Sequence, residues 1–288
     1  MNRLLNKMVR AYLYGMPLTE GKSRLLSLTE KYIRPDEKTV VSRTKDDFLL
    51  WLNLANPEHR RIYYYGEHDE RYELALLRKI IHPGDVCWDI GANIGFYTAF
   101  FARMVGTSGK VIAFEPVAGT RHMLEKSIHE NVFENDQVIP AALSDSEGTA
   151  EIFYSDEQLG EGTASFSNSG RRSRSEQVTL HTIDRLALTV PAIVKIDVEG
   201  HLLEVWRGGR QFFADNDPLM LVELKDCATV EGRRSLMDEV RNAGFAIFEI
   251  HKRFLKEIND PASSRKRNFL LSKKGSKAFR RIESLVSE

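Results

Sequence analysis

The chain has 288 residues, enough for one large α/β domain with additions or for two smaller domains. Hydrophobic residues make up 42% of it, which excludes wholesale disorder. Its two cysteines exclude a disulfide framework and a four-cysteine zinc site. The 41 basic and 41 acidic residues cancel, which argues against a general nucleic-acid-binding protein.

The zero net charge conceals two basic ends around an acidic middle. Residues 1–34 carry seven Lys and Arg against two acidic residues, and residues 265–288 carry eight against two. The remainder, residues 35–264, carries a formal charge of −11. We interpret the basic ends as solvated faces of the fold, with weak association to an anionic membrane surface as the alternative.

The first residues predict an amphipathic helix, because apolar pairs recur every four residues from Leu4 to Leu13. We expect this helix to pack onto the domain or to contribute to a homodimer, and a membrane surface is the alternative. Charged residues interrupt the segment too often for a signal peptide. No stretch reaches the roughly 18–20 apolar residues of a membrane-spanning helix, so a cytoplasmic protein is expected.

The segment before residue 82 predicts a small β-layer followed by a helix. Three β-branched or aromatic runs, at 39–41, 48–52 and 62–65, are typical of strands. Residues 72–81 predict a helix, which His82-Pro83-Gly84 would end.

From Val86 onward, short apolar runs alternate with helical stretches. Buried strands are predicted at 86–90, 111–114, 138–139, 193–197, 219–223 and 246–250, and helices at 94–105, at 119–131, from 202 and through 236–240. This alternation predicts parallel strands with helices on both faces of the sheet. A last run at 268–272 predicts an antiparallel edge strand.

Residues 148–182 interrupt the alternation. Their two strand-like runs, at 150–154 and 177–181, predict a hairpin. The Gly- and Ser-rich loop between them, residues 160–175, is interpreted as a lid or as an ordinary surface loop.

The strongest motif is a strand that ends at Asp89 and continues through a glycine turn into a helix. Gly91 and Gly95 allow the backbone to approach a ligand closely, and the helix start offers free N–H groups. A dinucleotide fold needs glycine at positions 1, 3 and 6 of this turn, but positions 3 and 6 are Asn93 and Phe96. An NAD-dependent oxidoreductase is therefore disfavoured. A smaller ligand without phosphate, such as S-adenosylmethionine, fits the turn better.

Acidic residues also follow the next two strands. Glu115, before Pro116, is expected to accept hydrogen bonds from both ribose hydroxyls, and a helix-start acid is the alternative. Ser144 and Asp145 follow the third strand, where Asp145 would accept from the adenine amine. Simple turn chemistry explains this Ser-Asp pair equally well when it is taken alone.

A further group of ionisable side chains, Asp197, Glu199 and His201, follows a later strand. Asp197 is expected to orient the methionine end of the cofactor, to bind a divalent ion or to act as a base. Glu199 and His201 are expected to face the substrate, and the alternatives are a buried lysine–carboxylate pair and a helix-start acid. Glu223 ends the next strand and is expected at the same edge of the sheet.

Five segments, taken together and in order, resemble the FkbM family of S-adenosylmethionine-dependent methyltransferases. They are DIGANIGFYT at 89–98, FEP at 114–116, LSD at 143–145, TIDRL at 182–186 and KIDVEGH at 195–201, with weaker matches at 72–73 and 163–165. The resemblance spans roughly residues 60–272. The family usually has Glu after the last His, and this chain has Leu202 there, which removes one polar contact.

The resemblance implies an α/β class I methyltransferase fold (Rossmann-like), whose seven-stranded sheet has one antiparallel strand. The implied units are an N-terminal extension (1–70), a methyltransferase domain (71–272) and a basic tail (273–288). It implies S-adenosylmethionine as the cofactor and mainly O-methylation of sugars, glycolipids or natural-product hydroxyls, with carboxyl methylation as the alternative. A non-catalytic scaffold that binds the cofactor is a third alternative.

The cofactor contacts are expected at Glu73, Asp89, Gly91, Asn93, Gly95, Thr98, Glu115, Pro116, Ser144, Asp145 and Asp197. The catalytic residues are expected to be Asp197, His201, Glu223 and Glu199. The acceptor is expected to be a small molecule or a glycan rather than a nucleic acid. A divalent metal such as Mg²⁺ is compatible with these residues, but the sequence assigns no metal ligands.

Overall fold

The computed structural model describes residues 2–15, 39–154, 164–167, 174–224, 230–261 and 264–287. The helices are α1 (Asn2–Gly15), α2 (Pro57–Tyr65), α3 (Arg71–Ile80), α4 (Phe96–Val105), α5 (Ala118–Asn131), α6 (Leu202–Arg207), α7 (Arg210–Asp215) and α8 (Val230–Asn242). The strands are β1 (Thr39–Arg43), β2 (Leu49–Asn53), β3 (Val86–Ile90), β4 (Lys110–Phe114), β5 (Asp136–Ile139), β6 (Ala141–Leu143), β7 (Gly148–Tyr154), β8 (Arg174–His181), β9 (Ile193–Ile196), β10 (Leu219–Glu223), β11 (Phe245–Ile250), β12 (Leu255–Glu257), β13 (Asn268–Lys273) and β14 (Val286–Ser287).

The central sheet has the strand order β5-β4-β3-β9-β10-β13-β11-β12-β14. Strands β5, β4, β3, β9 and β10 are parallel, and β13 lies antiparallel between β10 and β11. The first seven strands form the class I methyltransferase sheet expected from the sequence, which confirms the fold class. Two short strands, β12 and β14, extend the sheet beyond the predicted seven. The strand predicted at 268–272 is antiparallel as expected, but its edge position is wrong, because β13 pairs with β10 on one side and with β11 on the other.

The sheet separates two hydrophobic cores because successive side chains of a strand point to opposite faces. In β3, Cys87 belongs to the core that includes α3 and α4, whereas Trp88 belongs to the core that includes α6 and α8. Helix α4 is buried along almost its whole length. These two cores hold the carboxyl ends of β3, β4 and β9 side by side.

The prediction of a strand at 62–65 is wrong, because these residues end helix α2. The Asn56 side chain caps this helix by accepting hydrogen bonds from the Glu58 and His59 amides at 2.8 and 3.4 Å. Pro57 stands at the helix start, and Gly66 ends the helix with φ of +69°. These capping residues outweigh the β-propensity of the aromatic run.

The remaining N-terminal elements pack onto the domain. Strands β1 and β2 form an antiparallel hairpin, as predicted, and the Trp51 amide of β2 donates to Ser127 Oγ of α5 at 3.0 Å. Helix α1 is also present as predicted. Its Leu13 is buried beside Tyr64 and Tyr65 of α2.

The predicted hairpin at 148–182 is present as β7 and β8, with β6 parallel to β8 on its other side. A small hydrophobic cluster that includes Val117 and Ile152 holds this three-stranded sheet beside α5. Most of the predicted loop 160–175 lies outside the described residues. Its described part, 164–167, bridges to Phe153 of β7.

The basic C-terminal segment packs against the methyltransferase sheet over its described part. Phe279 and Ile282 are buried, and Arg281 Nη2 donates to Asp85 Oδ1 at 2.8 Å. Among the described residues, no helix is long and apolar enough to span a membrane.

Candidate active site

A cavity lies at the carboxyl ends of β3, β4 and β9, where open parallel sheets bind their ligands. Its empty volume is about 1030 Å³, part of it open to solvent. Its wall includes the turn 91–94 after β3, Glu115 and Pro116 after β4, and residues 197–199 after β9. Its lining combines apolar side chains with several polar ones, as is typical of small-molecule and cofactor sites.

The turn after β3 depends on Gly91. This residue has φ of +78°, and a Cβ atom built on it would lie 1.9 Å from the carbonyl oxygen of Asp197. The left-handed conformation and the contact with β9 therefore both require glycine. Asn93, two residues later, also has positive φ, of +50°. The turn brings the Asn93 amide to 2.9 Å from Glu115 Oε2.

Glu115 is held by backbone groups on both sides. Its Oε2 accepts from the Asn93 amide, and its Oε1 accepts from the Val117 amide at 2.9 Å. Burial raises the pKa of Glu115 to about 7 although both amides oppose this rise. Each carboxylate oxygen has a second lone pair, so the group retains acceptor capacity for a ligand in the cavity.

Two further polar atoms of the cavity wall are buried and have no hydrogen-bond partner among the described residues. They are Asn93 Oδ1 and Thr120 Oγ1, and Thr120 stands in the first turn of α5, directly after Glu115-Pro116-Val117. A buried polar atom without a partner costs about 1–3 kcal/mol unless a ligand satisfies it. A carboxylate, an amide oxygen and a hydroxyl on one wall fit the hydroxyls and amine of an adenosyl ligand.

Three carboxylates gather beyond the turn. Asp197, Glu199 and Glu223 each offer an oxygen, and these oxygens lie within 4.8 Å of one another. Burial and then the neighbouring Asp197 raise the pKa of Glu223 to about 8, so Glu223 holds a proton at neutral pH. This trio could bind a divalent ion in place of that proton.

Lys195 supplies a positive charge beneath these carboxylates. Its Nζ donates to Asp197 Oδ2 at 3.2 Å and lies 4.6 Å from the centre of the Tyr97 ring. Burial opposes the charge on Lys195, but Asp197 and Asp89 outweigh it and raise the pKa above its usual range. The ammonium therefore stays charged and holds Asp197 in place.

Comparison with known proteins decides the family. A family model for the methyltransferase FkbM domain matches residues 89–257, more than half of the chain. The chain belongs to the FkbM methyltransferase family. This membership confirms the resemblance and the methyltransferase class, and it supports S-adenosylmethionine as the cofactor.

Individual relatives of this FkbM methyltransferase are distant. The hexuronic acid methyltransferase AglP of Haloferax volcanii is 30% identical over 144 residues, which is 50% of this chain and 56% of that protein. The chain thus matches little more than half the length of this curated relative.

The solved structures that the chain matches are similar to it only at a low level. The FkbM methyltransferase of Methylobacillus flagellatus has a TM-score of 0.42 and 13% identity, covering 74% of this chain and 52% of that one. A SAM-dependent O-methyltransferase of Thermotoga maritima has a TM-score of 0.42 and 10% identity, covering 88% and 98%. Both TM-scores are below 0.5, so the family assignment rests on the family model.

The predicted cofactor residues of this FkbM methyltransferase fall into two groups. The cavity wall contains Gly91, Asn93, Glu115, Pro116 and Asp197. The wall does not include Glu73, Asp89, Gly95, Thr98, Ser144 and Asp145.

Several residues of the second group support the wall from behind. Asp89 is fully buried, and its Oδ2 accepts from Thr98 Oγ1 at 2.6 Å. Gly95 makes room for Leu124 of α5, since a Cβ atom on Gly95 would lie 2.9 Å from Leu124 Cγ. The hydrogen bond between Asp89 and Thr98 and the packing of Gly95 against Leu124 thus stabilise the glycine turn.

The predicted catalytic residues are also divided. Asp197, Glu199 and Glu223 lie together, with Glu223 just outside the cavity wall. His201 lines the cavity on another side, where its Nε2 lies 2.9 Å from Ser144 Oγ and its ring packs 4.4 Å from that of Phe166. Burial lowers the pKa of His201, which keeps the ring neutral at neutral pH.

Sequence reasoning missed the contribution of the N-terminal extension. Glu58, His59 and His68 line the cavity, although they precede the segment that the family model matches. His68 lies 2.9 Å from Glu58 and 3.3 Å from Glu70, and these carboxylates raise its pKa to about 10 against the effect of burial. Because residues 62–65 were predicted to form a strand, the N-terminal extension was not expected to line the cavity. The one sequence signal for this part of the wall is the helix start at Asn56-Pro57.

His59 differs from His68 in charge. Its Nδ1 accepts from the Asn53 amide at 3.1 Å, and burial lowers its pKa to about 4. The neutral ring therefore carries its hydrogen on Nε2.

Thr120 was missed for another reason, because a threonine in the first turn of a helix carries no specific signal.

Proposed function

We propose that this chain binds S-adenosylmethionine in the cavity and transfers its methyl group to an oxygen atom of a sugar-containing acceptor. The observation that carries the proposal is the clamping of Glu115 between the Asn93 and Val117 amides, beside unpartnered polar atoms of Asn93 and Thr120. This arrangement suits a ribose, because adjacent hydroxyls need a fixed acceptor and further polar partners.

The chain's own residues divide the work of binding. Glu115, Asn93 and Thr120 would hold the ribose, and Pro116 with Ala142 would border the adenine. The methionine end would lie beside the turn at Gly91, whose lack of a side chain lets the turn pack against the Asp197 carbonyl oxygen. The bound cofactor supplies an electrophilic methyl group on a sulfonium.

The carboxylate end of the cavity would handle the proton of the acceptor. A hydroxyl has a high pKa, so a nearby base must take its proton as the new bond forms. Glu223 already holds a proton, which leaves Asp197, oriented by Lys195, as the best-placed base. His201 is neutral and also borders the cavity, so it is the second candidate for this role.

The same residues would align the acceptor. Holding the oxygen nucleophile roughly 3–3.5 Å from the methyl carbon and in line with its leaving group contributes several kcal/mol to catalysis. Glu58, His59 and His68 would form the wall against which an acceptor is held, since they complete the cavity from the N-terminal extension.

A sugar acceptor is supported by two observations. The curated relative acts on a hexuronic acid by its name, although the match covers only about half of either protein. The cavity wall is also rich in hydrogen-bonding side chains, which suits hydroxyl groups. A hexuronic acid offers hydroxyl and carboxyl oxygens, so carboxyl methylation is the second candidate reaction.

A methyl-transfer screen tests the proposal. The full chain is incubated with radiolabelled S-adenosylmethionine and a metabolite and glycolipid extract, with and without Mg²⁺. We expect label in an alkali-stable methyl ether of a sugar. Label in an alkali-labile ester would support carboxyl methylation instead. Label in neither product, with folded protein and several extracts, would contradict the proposal.

A further inference from the structure

A second cleft, which shares no lining residue with the active-site cavity, lies between helix α3 and the turn that joins β11 to β12. It is lined by Tyr72, Leu76, Lys79, Lys252, Arg253 and Phe254, among others. The aromatic side chains of Tyr72 and Phe254 are 43% and 42% exposed. Exposed aromatic rings beside cationic side chains are typical of surfaces that bind at a lipid–water interface.

The cations of this cleft are available to bind a partner. Lys79, Lys252 and Arg253 are exposed and make no ion pair or hydrogen bond through their side chains to another described residue. Lys266 adds a further charge, with its Nζ 5.1 Å from the centre of the Tyr72 ring.

No acidic residue among those described lines the cleft, and two acidic side chains near it are already paired. Glu249 accepts from His251 at 2.9 Å, and Glu257 pairs with Lys274 at 2.6 Å. The uncompensated charge of the cleft is therefore positive.

The basic ends of the chain, by contrast, use several of their charges within the fold. Arg10 of α1 donates to Ser42 Oγ at 2.8 Å, and Arg281 binds Asp85. Lys273 donates to the carbonyl oxygen of Ala214 at 2.9 Å. Arg10, Arg281 and Lys273 would have to leave these partners before they could contact a membrane, whereas the cleft presents its cations without rearrangement.

The cleft also lies close to the active site along α3. Tyr72 is two residues from Glu70, and Glu70 contacts His68 in the cavity wall. Glu70 also accepts from Asn268 Nδ2 at 2.5 Å, two residues from Lys266. Tyr72 therefore lies four residues along the chain from His68, on the side of the cavity that the N-terminal extension forms.

We propose that the cleft formed by Tyr72, Lys79, Lys252, Arg253 and Phe254 binds the surface of an anionic lipid bilayer. Lys79, Lys252 and Arg253 attract the lipid phosphates, and the rings of Tyr72 and Phe254 enter the headgroup layer. The contact positions the cavity near lipid-linked acceptors. The proposal about the bilayer stands on the cleft and does not require the methyl-transfer proposal to hold.

Flotation of the full chain tests this surface, with vesicles of phosphatidylcholine alone and of phosphatidylcholine with phosphatidylglycerol. We expect binding only to the anionic vesicles, weakened by added salt. The double variant Lys252→Glu, Arg253→Glu should lower the partition coefficient by more than about tenfold, since each basic residue at an anionic surface contributes about a factor of five. Phe254→Ser should lower it about threefold to tenfold without changing its dependence on salt.

The matched control is Lys277→Glu, Arg280→Glu, which makes the same change of charge in the exposed part of the basic tail. It should retain most of the binding. Binding of S-adenosylhomocysteine by each variant shows whether the active site is intact. Equal binding by wild type and the cleft variant, a larger loss in the tail variant, or no binding to anionic vesicles would overturn the proposal. Cleft-dependent binding of an RNA oligonucleotide without vesicle binding would also overturn it.

Discussion

The two ends of the active-site cavity are built in different ways. At the end formed by β3 and β4, backbone amides and a left-handed glycine turn fix Glu115. At the end formed by β9 and β10, charged side chains hold one another, with Lys195 beneath Asp197 and a protonated Glu223 beside them. The first end depends on main-chain geometry, and the second depends on a balance of charge.

This difference determines which substitutions each end of the cavity can tolerate. A site built from the backbone loses its shape when a side-chain atom is added at the turn, because the close-packed neighbouring segment cannot move away. A charge-built site keeps its shape when a carboxylate becomes an amide of equal size, but its proton chemistry changes.

Gly91→Ala should abolish cofactor binding. The new Cβ atom would lie 1.9 Å from the Asp197 carbonyl oxygen at a φ of +78°. The turn would have to move away from this clash, and the cofactor site would lose its shape. A cost of more than about 3 kcal/mol in binding free energy corresponds to a loss of over a hundredfold in affinity. Calorimetry with S-adenosylhomocysteine measures this loss.

Gly244→Ala is the control for Gly91→Ala. Gly244 has φ of +85°, but no atom lies within 4 Å of the position that a Cβ atom would take there. Its alanine variant therefore bears the backbone strain without the clash, and it should keep wild-type affinity. Equal affinities for wild type and Gly91→Ala would show that the turn does not shape the cofactor site.

Asp197→Asn should preserve folding and cofactor affinity but reduce turnover by more than about tenfold, because the amide cannot accept the acceptor's proton. The measurement is single-turnover methyl transfer to the acceptor that the screen identifies. Asp69→Asn is the control, since Asp69 forms a surface ion pair with Arg61 and its side chain is 51% exposed. Unchanged turnover in the Asp197 variant would remove Asp197 from the mechanism.

Thr120→Val should weaken binding of S-adenosylhomocysteine by about threefold to tenfold, the value of one hydrogen bond of roughly 0.5–1.5 kcal/mol. The substitution keeps the shape of the side chain and removes its hydroxyl. Thr149→Val, in the exposed part of β7, should have no effect. A Thr120 variant that binds as tightly as wild type would place the ribose elsewhere in the cavity.

Glu223→Gln should alter the dependence of stability on pH. The pKa of Glu223 is about 8 in the folded chain and near 4.5 in the unfolded chain, so raising the pH between these values favours unfolding. Wild-type Tm should therefore fall relative to that of the variant between pH 6 and pH 9, conditions chosen to bracket the folded pKa, by about 2–4 °C. Parallel Tm curves for the two proteins would contradict a proton held by Glu223 at neutral pH.

The sequence predicted the backbone-built end well because its information is local. The glycine turn after β3 and the acid after β4 each lie within a few residues of the strand that positions them. The parallel strands followed from the alternation of apolar runs with helices, and the one antiparallel strand from the family resemblance. The prediction could not separate Gly91, which contacts β9, from Gly95, which packs against Leu124.

The sequence predicted less of the charge-built end and of the N-terminal wall. Asp197, Glu199 and Glu223 were expected at one edge because parallel strands end there together. Placing Glu58 and His68 in the cavity needed the fold of α2, and its capping by Asn56 outweighed the aromatic run that suggested a strand. Contacts between elements that are distant in the sequence form that wall, so the sequence alone could not predict it.

Calorimetric titration of the full chain with S-adenosylhomocysteine, compared with NADH, tests the central claim that the turn at Gly91 and the clamped Glu115 form an adenosyl site. We predict saturable heat with one S-adenosylhomocysteine per chain and none with NADH. Absence of heat with S-adenosylhomocysteine on folded protein, or equal heat with NADH, would contradict the account.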